Sequence, residues 1–422
     1  MRFDGVIIGG GLAGLAAGIR LQEHGCSCAL VNAGQSALHF SSGSFDLLSH
    51  MPDGEPVDGV ARCLERLTAL LPDHPYTRLG AEKTLDLARQ AEHLLAAWGL
   101  SMTGSLDQGN HFRLTPLGTL RPTWLSSAEV MTTGPDQRFP WKKIQLITIE
   151  GFLDFYPEIL AANLNELGLA CDIGYVSTPA LDILRKNPSE FRSINIARVL
   201  DQPGQFSAFV RQLAESAGNA DVLLLPACVA RRDISLVEEA SQKVGKPVKL
   251  LPTLPPSLIG ARISHILSDR FLASGGVIMP GDRAVGYALD KGRISRVYTV
   301  NHEDIPLEAD HFILSSGSFF SQGLLAGQTG IKEAVFDLDL LEVPEDRADW
   351  TAASVFAPQP YAGFGVKTDA RMRVSRKGAA IANLYAAGMV LGGYDAPRLG
   401  CGAGVALVSA LAAAESILEG RD

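Results

Sequence analysis

The feature that most constrains the fold is a glycine-rich turn that begins at residue 9. Residues 6–8 (VII) are typical of a buried strand, and residues 9–14 (GGGLAG) follow directly. Apolar residues at helical spacing then occupy 12–24, and residues 26–31 are predicted as the next strand. A Gly-x-Gly-x-x-Gly turn between a strand and a helix is typical of dinucleotide-binding β-α-β units. This segment therefore predicts a Rossmann-like domain.

Each glycine of the turn has its own physical reason. Gly9 allows a tight turn, Gly11 lets the backbone approach a phosphate, and Gly14 lets the helix pack closely on the strand. The N-terminus of the helix offers oriented N–H groups to an anion. We therefore expect Gly9, Gly11, Leu12, Ala13 and Gly14 to contact the phosphate of a cofactor.

The end of the second strand argues against a nicotinamide cofactor. A dehydrogenase of that kind carries Asp or Glu there, or an Arg nearby for a 2′-phosphate, whereas this chain has Asn32, Ala33 and Gly34. A second glycine-rich stretch, 388–404, precedes a C-terminal helix. Two helix N-termini favour a flavin: one would face its phosphate, and the other its ring system, where negative charge develops on reduction.

The rest of the chain suggests two domains. Up to residue 110 helical patterns predominate, and residues 111–265 mix short strands, helices, prolines and glycines. Alternating apolar residues then predict an antiparallel β-meander with a hairpin turn at Lys291-Gly292. We predict an α/β fold in which residues 1–110 and 266–422 form a flavin-binding domain with a parallel sheet and this meander. Residues 111–265 are predicted to be an inserted α+β substrate or cap domain.

Composition excludes several functional classes. The chain has 37 Lys and Arg against 46 Asp and Glu, so its net charge of −9 gives no general attraction for nucleic acid. Its six cysteines include no CxxC pair, so we expect no metal site. We expect no signal peptide, since the apolar start is broken by glycines at fixed spacing, and no membrane span, since the apolar runs fall short of the ~20 residues that cross a bilayer. We expect a cytoplasmic protein.

Several long strings resemble one family, the B subunit of anaerobic glycerol-3-phosphate dehydrogenase. That family is similar to the flavoproteins with two dinucleotide-binding regions, which include fumarate reductase flavoproteins. The resemblance covers essentially the whole chain. Its strings are GQSALHFSSGSFDLLSHMPDG, TPLGTLRPTWLSS, NIARVLD, LLPTLPPSLIGARI, GGVIMPGD, SSGSFFSQGLL and LGCGAGVALVSAL.

The resemblance implies an FMN-containing subunit that works with two partners, a larger FAD-bearing subunit and a membrane-associated iron–sulfur subunit. Together they oxidise sn-glycerol 3-phosphate to dihydroxyacetone phosphate and pass electrons to quinone in anaerobic respiration. The chain would then lie in the cytoplasm or peripherally on the inner face of the cytoplasmic membrane. FMN has no adenosine ribose, which would explain the absent carboxylate at Asn32. FAD is the alternative, and the glycine fingerprint favours it.

Two other functions stay open. The chain could be an electron-relay or assembly subunit that binds flavin but has no substrate site of its own. In this family the larger FAD-bearing partner is the subunit more expected to oxidise the substrate. It could also be a stand-alone enzyme similar to fumarate reductase. A flavin-dependent protein that modifies nucleic acid is disfavoured by the charge of −9.

Further cofactor contacts are expected from the loop after the second strand, from the end of the last central strand and from the C-terminal glycines. These residues are Asn32, Ser36, Ser41, Ser42, Gly43, Ser316, Gly317, Gly388, Gly400, Gly402 and Gly404.

Substrate chemistry needs a base and a cation for the phosphate. His39 is the only histidine in a suspected site loop and is the candidate base, with a solvent-facing turn residue as the alternative. The candidate phosphate ligands are Arg121, Arg198, Arg262 and Arg398. Arg398 is favoured because it immediately precedes the second glycine-rich loop, although each could be an ordinary ion-paired arginine. Cys401 is either a thiol activated by a helix N-terminus or, as we favour, a small packed residue.

Overall fold

The computed structural model describes residues 1–302, 304–341 and 343–421. Its helices are α1 Leu12–Glu23, α2 Val60–Leu70, α3 Pro75–Leu79, α4 Ala81–Ala97, α5 Pro157–Glu166, α6 Asp182–Arg185, α7 Ser193–Leu200, α8 Gln205–Ser216, α9 Ser235–Val244, α10 Leu258–Ala273, α11 Ala396–Leu399 and α12 Gly402–Leu418. Its strands are β1 Arg2–Ile8, β2 Cys28–Asn32, β3 Ser44–Phe45, β4 Met102–Thr103, β5 His111–Leu114, β6 Leu120–Thr123, β7 Leu125–Ser127, β8 Thr132–Thr133, β9 Lys143–Ile149, β10 Ala170–Val176, β11 Val222–Pro226, β12 Val248–Leu251, β13 Val277–Pro280, β14 Ala284–Asp290, β15 Arg293–Thr299, β16 Glu308–Leu314, β17 Leu324–Ala326, β18 Ile331–Glu333, β19 Arg373–Arg376 and β20 Ala379–Ala386.

The central sheet joins the two ends of the chain. Its strand order is β13-β2-β1-β16-β20-β19, and all neighbours are parallel except β20 and β19. Ile8 at the end of β1 is in register with Val31 of β2 and Leu314 of β16. Because the carboxyl ends of these strands meet at one edge, the loops that follow them form a common crevice, where open α/β sheets bind ligands. The predicted Rossmann-like parallel sheet is confirmed.

Helices α1 and α12 pack against each other beside this sheet. Gly18 of α1 lets α10 approach closely, since a Cβ there would lie 2.5 Å from Cε2 of Phe271. Helix α12 is buried on nearly all sides from Gly404 to Ala414, as expected of a helix that is apolar all round. Within the ranges that the structure describes, no helix combines the length and apolarity that crossing a membrane requires.

The segment 111–265 contains two kinds of sheet. Strands β10-β9-β11-β12 form a parallel sheet, and helices α5, α8 and α9 lie along the chain between these strands. Beside it lie the antiparallel sheets β6-β5-β8 and β3-β7-β4. The sequence predicted an α+β insertion, and the segment also contains this parallel α/β sheet. The buried apolar runs of β9 and β11 are typical of strands in a parallel sheet.

The predicted boundaries cut through structural elements. The sheet β3-β7-β4 pairs strands from both sides of residue 110, and residues 265 and 266 both lie within α10. The division into 1–110 with 266–422 and 111–265 therefore stays a prediction.

The predicted hairpin turn is confirmed. Lys291 and Gly292 both have positive φ, 47° and 76°, and they connect the paired residues Asp290 and Arg293. Such a two-residue turn fits the right-handed twist of the flanking strands. The meander is shorter than the three or four strands expected. Among the described residues, β14 and β15 form the antiparallel hairpin, and a single antiparallel bridge joins Val297 of β15 to Leu307. Strand β16 itself lies between β1 and β20 in the parallel sheet.

Candidate functional site

The turn between β1 and α1 presents a row of free backbone amides. Across residues 1–302, 304–341 and 343–421, the N–H groups of Gly10, Gly11, Leu12 and Ala13 find no hydrogen-bond acceptor. The first N–H groups of a helix lack acceptors within the helix, so an anion or another ligand satisfies them well. This geometry fits the phosphate of a nucleotide cofactor.

The three glycines of the motif have different surroundings. Gly9 has φ +119° and abuts the backbone of Ser315, where a Cβ would collide. Gly14 abuts Gly9, and a Cβ there would also lie 2.7 Å from Oγ of Ser315. At Gly11 a Cβ would meet only the Cβ of Ser36, at 3.8 Å. Gly9 and Gly14 are therefore required by packing, whereas Gly11 keeps the crevice open.

The loop after β2 adds polar groups beside these amides. The side chain of Asn32 packs on Gly10, and its Oδ1 accepts a hydrogen bond of 3.3 Å from the N–H of Gly34. The hydroxyl oxygen of Ser36 is buried, and no atom of the described residues bonds to it. A buried hydroxyl without a partner is rare in folded proteins. Ser36, which lies next to Gly11, is thus ready to bond a ligand in the crevice.

The short helix Ala37–Phe40 holds His39 in a defined position. The backbone oxygen of His39 accepts a 2.7 Å hydrogen bond from the N–H of Ser257, which begins α10. Its Nδ1 lies 3.3 Å from the carbonyl oxygen of Ser36. Because that oxygen can only accept, Nδ1 is the donor in this contact, and Nε2 is the ring nitrogen left for another partner.

The serines that follow bond to one another within the loop. Ser41 Oγ accepts a hydrogen bond of 3.4 Å from the N–H of Gly43, and the hydroxyls of Ser42 and Ser44 are 2.7 Å apart. Gly43 has φ +79° and abuts Ile259 of α10, so both its conformation and its space exclude a side chain. These contacts fix the loop against α10.

The segment after β16 closes another side of the crevice. The hydroxyl of Ser315 donates a 3.0 Å hydrogen bond to the carbonyl oxygen of Gly9. The hydroxyl oxygen of Ser316 is buried, with no bonding partner in the part of the chain described. Gly317 follows with φ +83°. Ser316 is therefore a second hydroxyl available to a bound group.

The C-terminal glycine loop reaches the same crevice. A Cβ at Gly388 would lie 2.8 Å from the Cβ of Ala13, so the two glycine-rich segments touch. The N–H groups of Gly402 and Ala403, at the start of α12, have no acceptor among the residues that the structure covers. Both residues are partly exposed. The structure thus places the C-terminal glycine-rich segment against the first turn of α1.

Two of the predicted C-terminal contacts face protein atoms. Gly400 has φ +57°, and a Cβ there would lie 2.6 Å from the Cβ of Ser49. The N–H of Gly404 donates a 3.0 Å hydrogen bond to the carbonyl oxygen of Asp46, and a Cβ would lie 2.7 Å from Cα of Leu47. Their role as cofactor contacts stays a prediction, and packing alone accounts for both glycines.

Cys401 is fully buried beside a histidine. Its Sγ lies 3.9 Å from Nε2 of His74, whose Nδ1 accepts a 3.0 Å hydrogen bond from the N–H of Tyr76. Burial raises the pKa of the Cys401 thiol well above its usual value and lowers the pKa of His74 to about 3. A protonated thiol beside a neutral imidazole supports the packing role for Cys401.

A cluster of charged residues lies next to the start of α12. Arg113 of β5 and Arg121 of β6 are directly opposite each other in the antiparallel pair, and His111 is opposite Thr123 two residues away. Nε of Arg121 is 3.7 Å from a carboxylate oxygen of Asp46, and Thr123 donates a 2.6 Å hydrogen bond to the other. Burial lowers the pKa of His111 to about 4 and also lowers the pKa of Arg113.

Sequence reasoning included Arg121 but missed Arg113, Asp46 and His111. A usable signal existed, because Arg113 and Arg121 flank the turn LTPLGTL symmetrically. A hairpin at that turn places them on one face of the two strands.

The other predicted arginines lie elsewhere. Arg398 is exposed and donates a 3.1 Å hydrogen bond from Nη2 to the carbonyl oxygen of Pro52. Arg198 is exposed on α7. Arg262 is buried in α10 and forms an ion pair with the buried Glu129. The structure therefore does not bring these three together, and their role in phosphate binding stays a prediction.

Comparisons with known proteins agree with a flavin crevice. A family model described as an FAD binding domain matches residues 4–405. The chain is 50% identical over 423 residues to the B subunit of anaerobic glycerol-3-phosphate dehydrogenase from Yersinia enterocolitica, covering 100% of this chain and 99% of that protein. The proteins of the same name from Pectobacterium carotovorum and Actinobacillus succinogenes are 49% and 45% identical, each over 99% of both chains.

Among solved structures, the E. coli quinol fumarate reductase FrdA matches with a TM-score of 0.44 and 10% identity, over 99% of this chain and 70% of that one. The 3-ketosteroid-delta4-(5alpha)-dehydrogenase from Rhodococcus jostii RHA1 matches with a TM-score of 0.40 and 13% identity, over 98% and 97%. The family match and the full-length identities, together with the crevice, show that the chain is a flavoprotein and belongs to the family of the B subunit of anaerobic glycerol-3-phosphate dehydrogenase.

Proposed function

We propose that this chain is the flavin-binding subunit of an anaerobic glycerol-3-phosphate dehydrogenase of several subunits, which oxidises sn-glycerol 3-phosphate to dihydroxyacetone phosphate. The observation that carries the proposal is the crevice lined by free amides from both ends of the chain. Residues 10–13 and residues 402 and 403 offer these N–H groups, and Ala13 and Gly388 join the two segments. A crevice with two helix N-termini suits a cofactor that carries phosphate and becomes anionic when reduced.

We infer that the cofactor is FAD. The family model that matches residues 4–405 describes an FAD binding domain, and FMN is not confirmed. The residues that would hold it are the amides of the first turn, the unpartnered hydroxyls of Ser36 and Ser316, and the amides of Gly402 and Ala403. Asn32, at the end of β2, offers an amide in the place where nicotinamide enzymes use a carboxylate for ribose. A bound flavin would supply an acceptor for the hydride and pass its electrons on.

His39 is our candidate for holding the proton of the substrate hydroxyl. Oxidation of an alcohol requires a base for that proton, and a positioned side chain contributes roughly 10²–10⁴-fold in rate. The contact of Nδ1 with the carbonyl oxygen of Ser36 favours the tautomer in which Nε2 is free to accept. The backbone bond from Ser257 keeps the loop, and with it the imidazole, in place.

The name of the family implies partner subunits. The relatives are named as one subunit of a dehydrogenase, so the chain works within a complex of several subunits. We propose two partners, a larger FAD-bearing subunit and an iron–sulfur subunit, which would associate with the cytoplasmic face of the membrane and carry electrons toward quinone. In this arrangement the present chain reaches the membrane through a partner.

The test is to purify the chain with its partners, release the flavin by denaturation, and identify it by chromatography. One FAD per copy of this chain, beyond what the larger partner holds, would support the proposal. FMN at the same stoichiometry would restore the alternative cofactor. A folded chain without any flavin would refute the proposal.

A further inference from the structure

The β5–β6 hairpin places two positive charges face to face. Arg113 and Arg121 are directly paired across the strands, and like charges in this position destabilise a sheet. Arg113 is 7% exposed, and its buried Nε has no hydrogen-bond partner within residues 1–302, 304–341 and 343–421. A buried cation without a partner is costly, so a ligand that neutralises it is the simplest reason for this arrangement.

The other ionisable groups near this pair do not fully neutralise the two arginines. Asp46 is the acidic group beside the pair, and one of its oxygens is already taken by Thr123. His111 and His50 face the same region, but burial lowers the pKa of both, so they are neutral around pH 7. Two guanidinium groups and one carboxylate leave an excess of about one positive charge.

The pair lies beside the flavin crevice. Nη2 of Arg121 donates a 3.2 Å hydrogen bond to the carbonyl oxygen of Pro397, and it lies 3.5 Å from where a Cβ of Gly400 would be. The carbonyl oxygen of Asp46 accepts the 3.0 Å bond from Gly404 in the first turn of α12. The positive end of the α12 dipole therefore adds to the attraction for an anion.

We propose that Arg113 and Arg121 form the subsite for the phosphate of a phosphomonoester substrate, which places substrate binding in this chain rather than only in a partner. The proposal rests on the proposed function. A phosphate dianion has enough oxygens to engage two guanidinium forks together. The partly exposed Arg121 lies at the open side, and the buried Arg113 at the closed side.

The main test compares Arg113→Gln and Arg121→Gln with the unaltered protein, all in the complete complex. We expect KM for sn-glycerol 3-phosphate to rise roughly 10- to 150-fold for each, the loss expected for a charged hydrogen bond, while flavin content stays unchanged. Arg113→Lys, which keeps a point charge without the fork, should recover only part of this loss. Arg296→Gln is the matched control, since Arg296 is also a hairpin arginine and pairs with Glu308 at 3.0 Å.

A second measurement covers the case in which the Gln variants fold poorly. In the unaltered full-length chain, sn-glycerol 3-phosphate and inorganic phosphate should raise the Tm, and glycerol and succinate should not. Arg113→Met should abolish the protection by phosphate while raising the Tm of the ligand-free chain, because it removes an unpaired buried charge.

The outcomes separate this proposal from the proposed function. Unchanged KM and unchanged protection by phosphate in the Arg113 variants would overturn the subsite, and so would equal protection by succinate. Loss of flavin in Arg113→Gln would also overturn it, because the arginine would then hold the cofactor. If the unaltered chain binds phosphate but contains no flavin, the proposed function fails and the anion site stands.

Discussion

The change Gly11→Ala separates cofactor binding from folding. Gly11 is the N-cap of α1 with φ −85°, a conformation that alanine adopts freely. Its added Cβ would meet no atom of the described residues closer than 3.8 Å, so it would occupy the crevice and not the core. We expect the unfolding free energy of the flavin-free chain to fall by less than about 1 kcal/mol, the usual size of an N-cap effect.

The same methyl group stands where a phosphate would approach the free amides. We expect flavin affinity to fall at least tenfold, which corresponds to about 1.4 kcal/mol. Flavin per chain is measured by fluorescence after denaturation, and stability by urea unfolding of the flavin-free chain. Gly59→Ala is the matched control, because Gly59 is also a helix N-cap and a Cβ there would meet nothing within 4 Å. Normal flavin affinity in Gly11→Ala would refute the assigned crevice.

Three further changes test other parts of the structure. Ser36→Ala should lower flavin affinity by about 1 kcal/mol and leave the stability of the flavin-free chain unchanged, since the Ser36 hydroxyl has no partner in the described residues. Calorimetric titration with flavin measures this loss, and an affinity equal to that of the unaltered chain would contradict the assignment. Glu129→Gln should cost roughly 3–5 kcal/mol in urea unfolding, because it leaves the buried positive charge of Arg262 without its carboxylate, and a loss below about 1 kcal/mol would contradict the ion pair. Because burial lowers the pKa of His74 to about 3, the unfolded chain binds a proton first as the pH falls below about 6.5. Stability should then drop by about 2 kcal/mol between about pH 7 and pH 5 from this group alone. The side chain of Asn in His74→Asn can still accept a hydrogen bond from the N–H of Tyr76. Between about pH 7 and pH 5 the stability of this variant should therefore fall by about 2 kcal/mol less than that of the unaltered chain. An unchanged pH dependence would argue against a neutral buried His74.

Local patterns predicted the parts of the fold that depend on neighbouring residues. The glycine turn, α1 and β2 follow from spacing within about thirty residues, and the Lys291-Gly292 turn follows from its dipeptide. The parallel pairing of β1 with β16 could be expected only from the Rossmann analogy, because their paired residues are about 306 positions apart. The predicted length of the antiparallel meander was wrong, because β16 pairs with β1 and β20 in the central sheet.

The site was harder to predict where it depends on contacts between distant segments. The contact between Ala13 and Gly388 could be inferred from two helix N-termini, but the unpartnered hydroxyls of Ser36 and Ser316 could not. Arg113 was overlooked because an isolated arginine in a short strand is ordinarily exposed. Only the register with Arg121 shows that the two cations share one face. Arg398 was favoured by its position in the chain, whereas its side chain points to Pro52.

The most direct test is anaerobic mixing of sn-glycerol 3-phosphate with the isolated full-length chain loaded with its flavin. We predict that the visible absorbance of the oxidised flavin disappears, that glycerol has no such effect, and that Arg113→Gln needs far more substrate for the same change. If the flavin stays oxidised with sn-glycerol 3-phosphate while the complete complex turns over, this chain relays electrons, and the substrate site lies in a partner.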